Sequence, residues 1–194
     1  DLDGDLDLIV ANGHIIDNVE EIYTDRTYPQ VDHLYENDGT GRFALLGESA
    51  GAYFGRRLVG RGAATSDFDR DGDTDLVVFN SGGPAVLLRN EADAARWVRF
   101  RLQGASKSPR DGTGALLTLR CGERVQVREL FTARSYASAC DSDVFFGLGD
   151  AESIDALEVR WPSGAEQSFA PMATNAHYLL VEGESAPRPL GADR

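Results

Sequence analysis

The chain has 194 residues, 42% of them hydrophobic and 26% charged, which suffices for one sizeable core or two small ones. No apolar run approaches the 18 residues that a membrane helix needs. The net charge of −13 sits mostly in residues 1–90, where 17 acidic side chains face 7 basic ones, against 15 and 12 in residues 91–194; such a surface excludes nucleic acid and anionic membranes, which need a basic footprint.

The first element is an aspartate loop that occurs twice. DLDGDLDLIVAN (1–12) aligns with FDRDGDTDLVVFN (68–80) on the shared ending Asp-Leu, two apolar residues, one further residue and Asn. Asp1, Asp3, Gly4, Asp5 and Asp7 then fall on Asp69, Asp71, Gly72, Asp73 and Asp75, a register of 68 residues. The partner of Asp67 would lie two residues before Asp1, so the chain is expected to open inside a motif, as part of a longer protein. Downstream of each loop, HLYENDGTGRFALLG (33–47) and AVLLRNEADAARWVRFRL (85–102) both give an apolar strand, an Asn, a polar turn and a second strand. Short β runs punctuated by Gly, Asn and Asp predominate, and amphipathic helical periodicity is missing. The prediction is an all-β chain whose residues 1–94 form one to two propeller blades of four short strands each. Residues 13–32, with Tyr23, Tyr28 and Pro29, are an insertion expected to form an exposed loop.

From residue 95 the pattern changes. WVRFRLQG, GALLTLRCG, VQVREL, DVFFGLG, IDALEVRWPSG, EQSFA and HYLLVEG give seven strand candidates, which predicts a β-sandwich over 95–183. Phe145 and Phe146 cannot both face its core, so one is expected to cover the neighbouring domain or a partner. Trp161 in WPSG is expected to pack the sandwich, with carbohydrate stacking as the alternative. The Pro- and Gly-rich end, 184–194, has little to bury and is expected to be a flexible tail. Cys121 and Cys140 are the only cysteines. A disulfide between them and two buried free thiols are both open readings.

The second loop carries carboxylates at Asp67, Asp69, Asp71 and Asp75, with Gly72 at the sharp turn and the Asp73 carbonyl available. Like charges about 4 Å apart repel by roughly 4 kcal/mol at an effective dielectric near 20, so an ordered loop of this kind needs a counter-cation or full solvation. An all-oxygen donor set of six to eight ligands suits Ca²⁺; zinc would call for His or Cys. Asp1, Asp3, Asp5 and Asp7 offer a partial second site of the same type. No closing Glu stands at position 12, where Val78 falls in a strand, so this is a β-hairpin loop rather than a helix–loop–helix hand.

These residues resemble two families that occur in tandem. The loops and strands resemble FG-GAP (VCBS-type) repeats of calcium-binding β-propellers, on ANGH (11–14), DGTGRF (38–43), RGAATSDFDRDGDTDLVV (61–78) and LLRN (87–90). The second half resembles the ASPIC/UnbV domain of cartilage acidic protein and its bacterial relatives, on DGTGA (111–115), FFGLG (145–149), VRWPSG (159–164) and VEG (181–183). The resemblance implies a secreted or surface-exposed calcium-binding protein of a family without an established catalytic activity.

His14, His33 and His177 flank no nucleophile elbow and read as structural histidines, and no phosphate loop is present. Asp141 and Asp143 are the other carboxylate pair considered for glycosidase chemistry. The function expected is calcium-stabilised extracellular adhesion or scaffolding, with an unidentified protein or glycan partner and no catalytic residues. A self-assembling fibre or surface-layer subunit is the alternative, and a metal-dependent carbohydrate-active enzyme is a more distant one.

Overall fold

A computed structural model describes residues 1–92, 95–105 and 107–191. The chain is 43% strand and 6% helix, and the described residues close no barrel, so the all-β class holds. The first half contains β1 (Leu8–Val10), the short helix α1 (Val19–Ile22), β2 (Gln30–Val31), β3 (His33–Asn37) and β4 (Phe43–Leu45). Two 3₁₀ turns, Gly47–Ala50 and Ala52–Gly55, lead to β5 (Arg57–Leu58), β6 (Gly60–Ser66), β7 (Asp75–Asn80) and β8 (Val86–Leu88). Two antiparallel meanders result, β1-β3-β4 and β6-β7-β8, with β2 paired to β5. Each sheet has three strands where four were expected: after the first, residues 47–55 coil into 3₁₀ turns instead of extending, and after the second, the next strand, Arg96–Gln103, joins a sheet of the second half. Those turns still feed the core, since Tyr53 and Phe54 pack with Ala63 and Val78.

The 13–32 insertion is not wholly an exposed loop. Its helix buries Val19 completely, and Gln30–Val31 pairs with Leu58–Arg57. Arg61 in β6 fastens the same segment by donating to the carbonyls of Gly13 and His14.

The second half contains β9 (Arg96–Gln103), β10 (Leu116–Cys121), β11 (Arg124–Glu129), β12 (Val144–Gly149), β13 (Ser153–Ile154) and β14 (Ala156–Arg160). β15 (Glu166–Phe169), β16 (Met172–Ala173), β17 (Ala176–Val181) and β18 (Arg188–Leu190) complete it. Two four-stranded sheets, β11-β10-β14-β15 and β12-β9-β17-β18, enclose one core of Val98, Phe100, Leu117, Leu119, Phe146, Leu157, Val159 and Leu180. Period-two alternation drives this packing: Val98, Phe100 and Leu102 of β9 face inward, and Trp97, Arg99 and Arg101 face outward. Phe146 is fully buried, whereas its neighbour Phe145 stacks on Trp97 with ring centroids 6.3 Å apart. Trp161 is only 2% exposed, so it packs the core and offers no face to a sugar.

The end of the chain differs from the expectation of a flexible tail. Arg188–Leu190 forms β18 against β17, with His177 opposite Leu190 and Tyr178 opposite Pro189. Pro189 lacks an N–H, which an edge strand tolerates, and the pairing covers a strand whose polar row would otherwise be open. Residues 192–194 of the expected tail and the boundary residues 93 and 94 lie outside the described residues. Cys121 and Cys140 are unbridged. Cys121 ends β10 opposite Arg124, whereas Cys140 lies in a loop against β6, its Sγ 3.5 Å from the Thr65 N–H.

That loop belongs to the contact between the halves. It runs along the outer edge of β6: the N–H of Ala63 donates to Ser135 Oγ, and the N–H of Asp141 donates to the Thr65 carbonyl at 3.1 Å. Glycine at position 62 makes this approach feasible, because a Cβ there would overlap the Tyr136 carbonyl and Ser138.

Candidate metal centre

Both aspartate loops adopt one backbone. Leu2 and Arg70, equivalent in the 68-residue register, have φ of 63° and 66°; Gly4 and Gly72 have 106° and 102°. The left-handed conformation suits glycine, and room is a further requirement at position 72, where a Cβ would overlap the Trp97 indole. Successive carboxylates accept the backbone N–H two residues on: Asp69 from Asp71 and Asp71 from Asp73 in the second loop, Asp1 from Asp3 and Asp3 from Asp5 in the first.

The last aspartate of each loop has a distinct task. Asp75 opens β7, is 2% exposed, and accepts the N–H of Phe68 at 2.7 Å and of Asn90 at 2.9 Å. Asp7 likewise accepts the N–H of Asn37 at 2.9 Å. These carboxylates clamp each loop to the Asn at the end of the strand paired beside it. The Asn-before-turn repeat at positions 37 and 90 was visible in sequence; its pairing with the loop was not.

Among the described residues, Asp67, Asp69 and Asp71 form the one group whose ligand atoms lie within 4.8 Å of one another. Asp75 is outside that group. Asp73 contributes a side chain that is 7% exposed, with Oδ1 buried and unpartnered; Oδ1 of Asp67 is also buried without a partner. Burial, then the charges of Asp71 and Asp75, push the Asp73 carboxyl up to about 7. The loop therefore holds more negative charge than its protein neighbours neutralise. Two arginines supply part of the balance: Arg99 pairs with Asp67, and Arg89 lies 3.3 Å from Asp69 while also pairing with Glu91. Oxygen-only donors, some of them orphaned and buried, fit a hard divalent cation such as Ca²⁺, which Asp67, Asp69 and Asp71 would hold. Bound there, the ion would neutralise the loop so that it can pack against its neighbours.

The first loop does not gather a group of this kind among the described residues. In the 68-residue register, Asp1 and Asp3 are the first-loop equivalents of Asp69 and Asp71. Asp5 has both carboxylate oxygens buried and unpartnered, and burial followed by the charges of Asp3 and Asp7 raises its pKa.

Second-half side chains meet both loops. Arg124 donates to the Asp3 carbonyl, Arg128 to the Gly4 carbonyl at 3.4 Å, and the N–H of Gly149 to the Leu2 carbonyl at 2.9 Å. A cleft of about 490 Å³ lies between the halves, reached by Asp5 and Asp67 on one side and Arg128 and Phe145 on the other.

The other polar candidates are engaged structurally. Asp141 bonds to Ser66, and Asp143 pairs with Arg101 at 2.9 Å and His177 at 2.9 Å. His14 accepts the N–H of Ile16, and His33 contacts the Tyr35 hydroxyl at 3.2 Å. Sequence reasoning missed Asp32, which is 2% exposed between β2 and β3 and accepts from the Asn12 N–H and the Tyr53 hydroxyl, both at 2.6 Å.

Comparison with known families matches residues 1–78 to the FG-GAP-like repeat and residues 105–187 to the ASPIC and UnbV domain. Comparison with curated proteins finds no match. FG-GAP repeats are typical of extracellular proteins, and no helix among the described residues is long and apolar enough to cross a membrane. The paired aspartate loops, their meanders and the sandwich that follows thus belong to a chain built as an FG-GAP-like repeat segment followed by an ASPIC/UnbV domain.

Proposed function

We propose that the chain is a calcium-binding extracellular adhesion or scaffold protein in which the ion is structural rather than catalytic. One observation carries this reading: three converging carboxylates, with Asp67 Oδ1 and Asp73 Oδ1 buried beside them and unpartnered. Unpaired buried polar atoms are costly, and a cation offers them what the protein does not. Extracellular calcium modules work at roughly 10⁻⁴–10⁻³ M, a concentration available outside cells. The partner would be an extracellular protein or a glycan.

Thermal melting in calcium and in chelator tests the reading. At about a hundredfold excess over Kd, calcium should stabilise by roughly 2.7 kcal/mol, and for a chain of this size the midpoint should rise by about 5–10 °C. Asp71→Ala, which removes the oxygen ligand, should abolish the shift. Equal melting in calcium and chelator would leave Arg99 and Arg89 as the loop's counter-ions and defeat the proposal.

A second reading, self-assembly into a fibre or surface layer, draws on the free edges of the meanders. Phe43 and Leu45 on β4, and Leu87 on β8, are each about half exposed on terminal strands. Unpaired apolar edges favour strand addition.

A further inference from the structure

The outward face of β9 lies over the second aspartate loop. Trp97 occupies the space that a side chain at position 72 would need, and two residues on, Arg99 pairs with Asp67. The Arg99 guanidinium is 5.9 Å from the Trp97 ring centroid, which places it between the indole and the carboxylate. This ion pair is buried, with the Arg99 side chain 12% and the Asp67 side chain 4% exposed. Only one oxygen of Asp67 is used: Oδ2 meets Arg99, while Oδ1 is buried with no partner. Arg89, which meets Asp69, is 57% exposed and arises from the repeat half. One carboxylate therefore joins the two halves of the molecule and still has a free oxygen among the loop's carboxylates.

We propose that Arg99 is a positioning residue for the cation and couples the ion to domain docking. By holding Oδ2 of Asp67, it aims Oδ1 at the cation, so that ion binding and the seating of the sandwich on the repeats become one linked equilibrium. The proposal rests on the calcium reading above. Its physical basis is outer-sphere support: a ligating carboxylate is oriented by the hydrogen bond its other oxygen accepts, and losing that support costs about 10–100-fold in metal affinity. Linkage is reciprocal, so whatever the sandwich contributes to ion affinity, the ion returns to docking. The opposite result has an equally clear physical cause. If Arg99 acted only as a positive charge near the site, it would repel the cation, and removing it would tighten binding.

Calcium titration of the whole chain by calorimetry, with hydrogen exchange at the Asp141 amide, tests this. That amide donates to the Thr65 carbonyl at the end of β6 and so reports docking next to the loop. In the unsubstituted chain, calcium should bind and slow exchange at Asp141. Arg99→Gln should weaken calcium binding about 10–100-fold, and saturating calcium should no longer protect the Asp141 amide. Arg89→Gln, which removes a similar charge without touching the sandwich, should leave the calcium-dependent protection in place. If Arg99→Gln fails to fold, Arg99→Lys retains the buried charge without the planar fork and should also weaken binding. Unchanged or tighter calcium binding in the Arg99 variants would overturn the proposal, as would binding without protection of Asp141 in the unsubstituted chain. Absence of calcium binding in the unsubstituted chain would overturn the calcium reading as well, which separates the two failures.

Discussion

Asp32 and Tyr53 form a buried pair that stabilises the first half without belonging to either loop. The carboxylate fastens the N–H of Asn12, whose side chain in turn donates to the Val31 carbonyl at 2.9 Å. Gly60 permits this close approach, since a Cβ there would lie 2.7 Å from Asp32 Oδ1. Burial, followed by the hydrogen bond and charge of Asp32, raises the Tyr53 pKa above its ordinary value. Hydrogen bonds to a charged group are worth about 1.5–3 kcal/mol, and two are lost when Asp32 is truncated. Asp32→Ala should therefore destabilise by about 3 kcal/mol, read as a lower urea midpoint at constant m-value; a change under 1 kcal/mol would refute the assignment.

At the scale of elements, one carboxylate ties three strands of a sheet together. Asp143 precedes β12 and reaches Arg101 of β9 and His177 of β17, and its side chain is 2% exposed. Burial pushes its carboxyl up, but the nearby His177 ring and the two hydrogen bonds donated by Arg101, at 2.9 and 3.1 Å, outweigh burial and hold it below the ordinary value of 3.8. A carboxyl with a depressed folded pKa contributes stability that is complete above its unfolded value and lost as pH falls through the folded one. Asp143→Asn should cost about 1–3 kcal/mol at pH 7, and at a pH well below the ordinary carboxyl value of 3.8 the gap to the unsubstituted chain should have narrowed. Urea melts at the two pH values check this, and a pH-independent gap would contradict it. The same sheet shows why β18 was not legible. Residues 184–194 contain little to bury, but the open edge of β17 supplies a row of backbone partners, and no local pattern in the tail encodes that edge.

For the molecule as a whole, the open question is what meets the free edges. β6 is covered by the loop carrying Ser135 and Asp141, whereas β4 and β8 end their sheets. If assembly uses these edges, sedimentation velocity should show concentration-dependent growth, and Leu45→Lys should suppress it by placing a charge on the edge. A single monomeric species at high concentration, with and without chelator, would dismiss the fibre reading.

The amino-acid sequence alone determined the repeat and its chemistry. The 68-residue register, the alternating aspartates and the glycine at the turn are local features, and the two loops obey them down to matched φ angles at Leu2 and Arg70 and at Gly4 and Gly72. The strands of the sandwich were likewise legible, because alternation is written in consecutive residues. Tertiary structure alone decided which partner each of these groups meets. It left Cys121 and Cys140 apart, gave the Asp75 carboxylate the N–H groups of Phe68 and Asn90, and set Arg99 against Asp67 across 32 positions. Such pairings depend on how separate sheets are stacked, and stacking is governed by the shape of the whole buried surface rather than by the order of neighbouring residues.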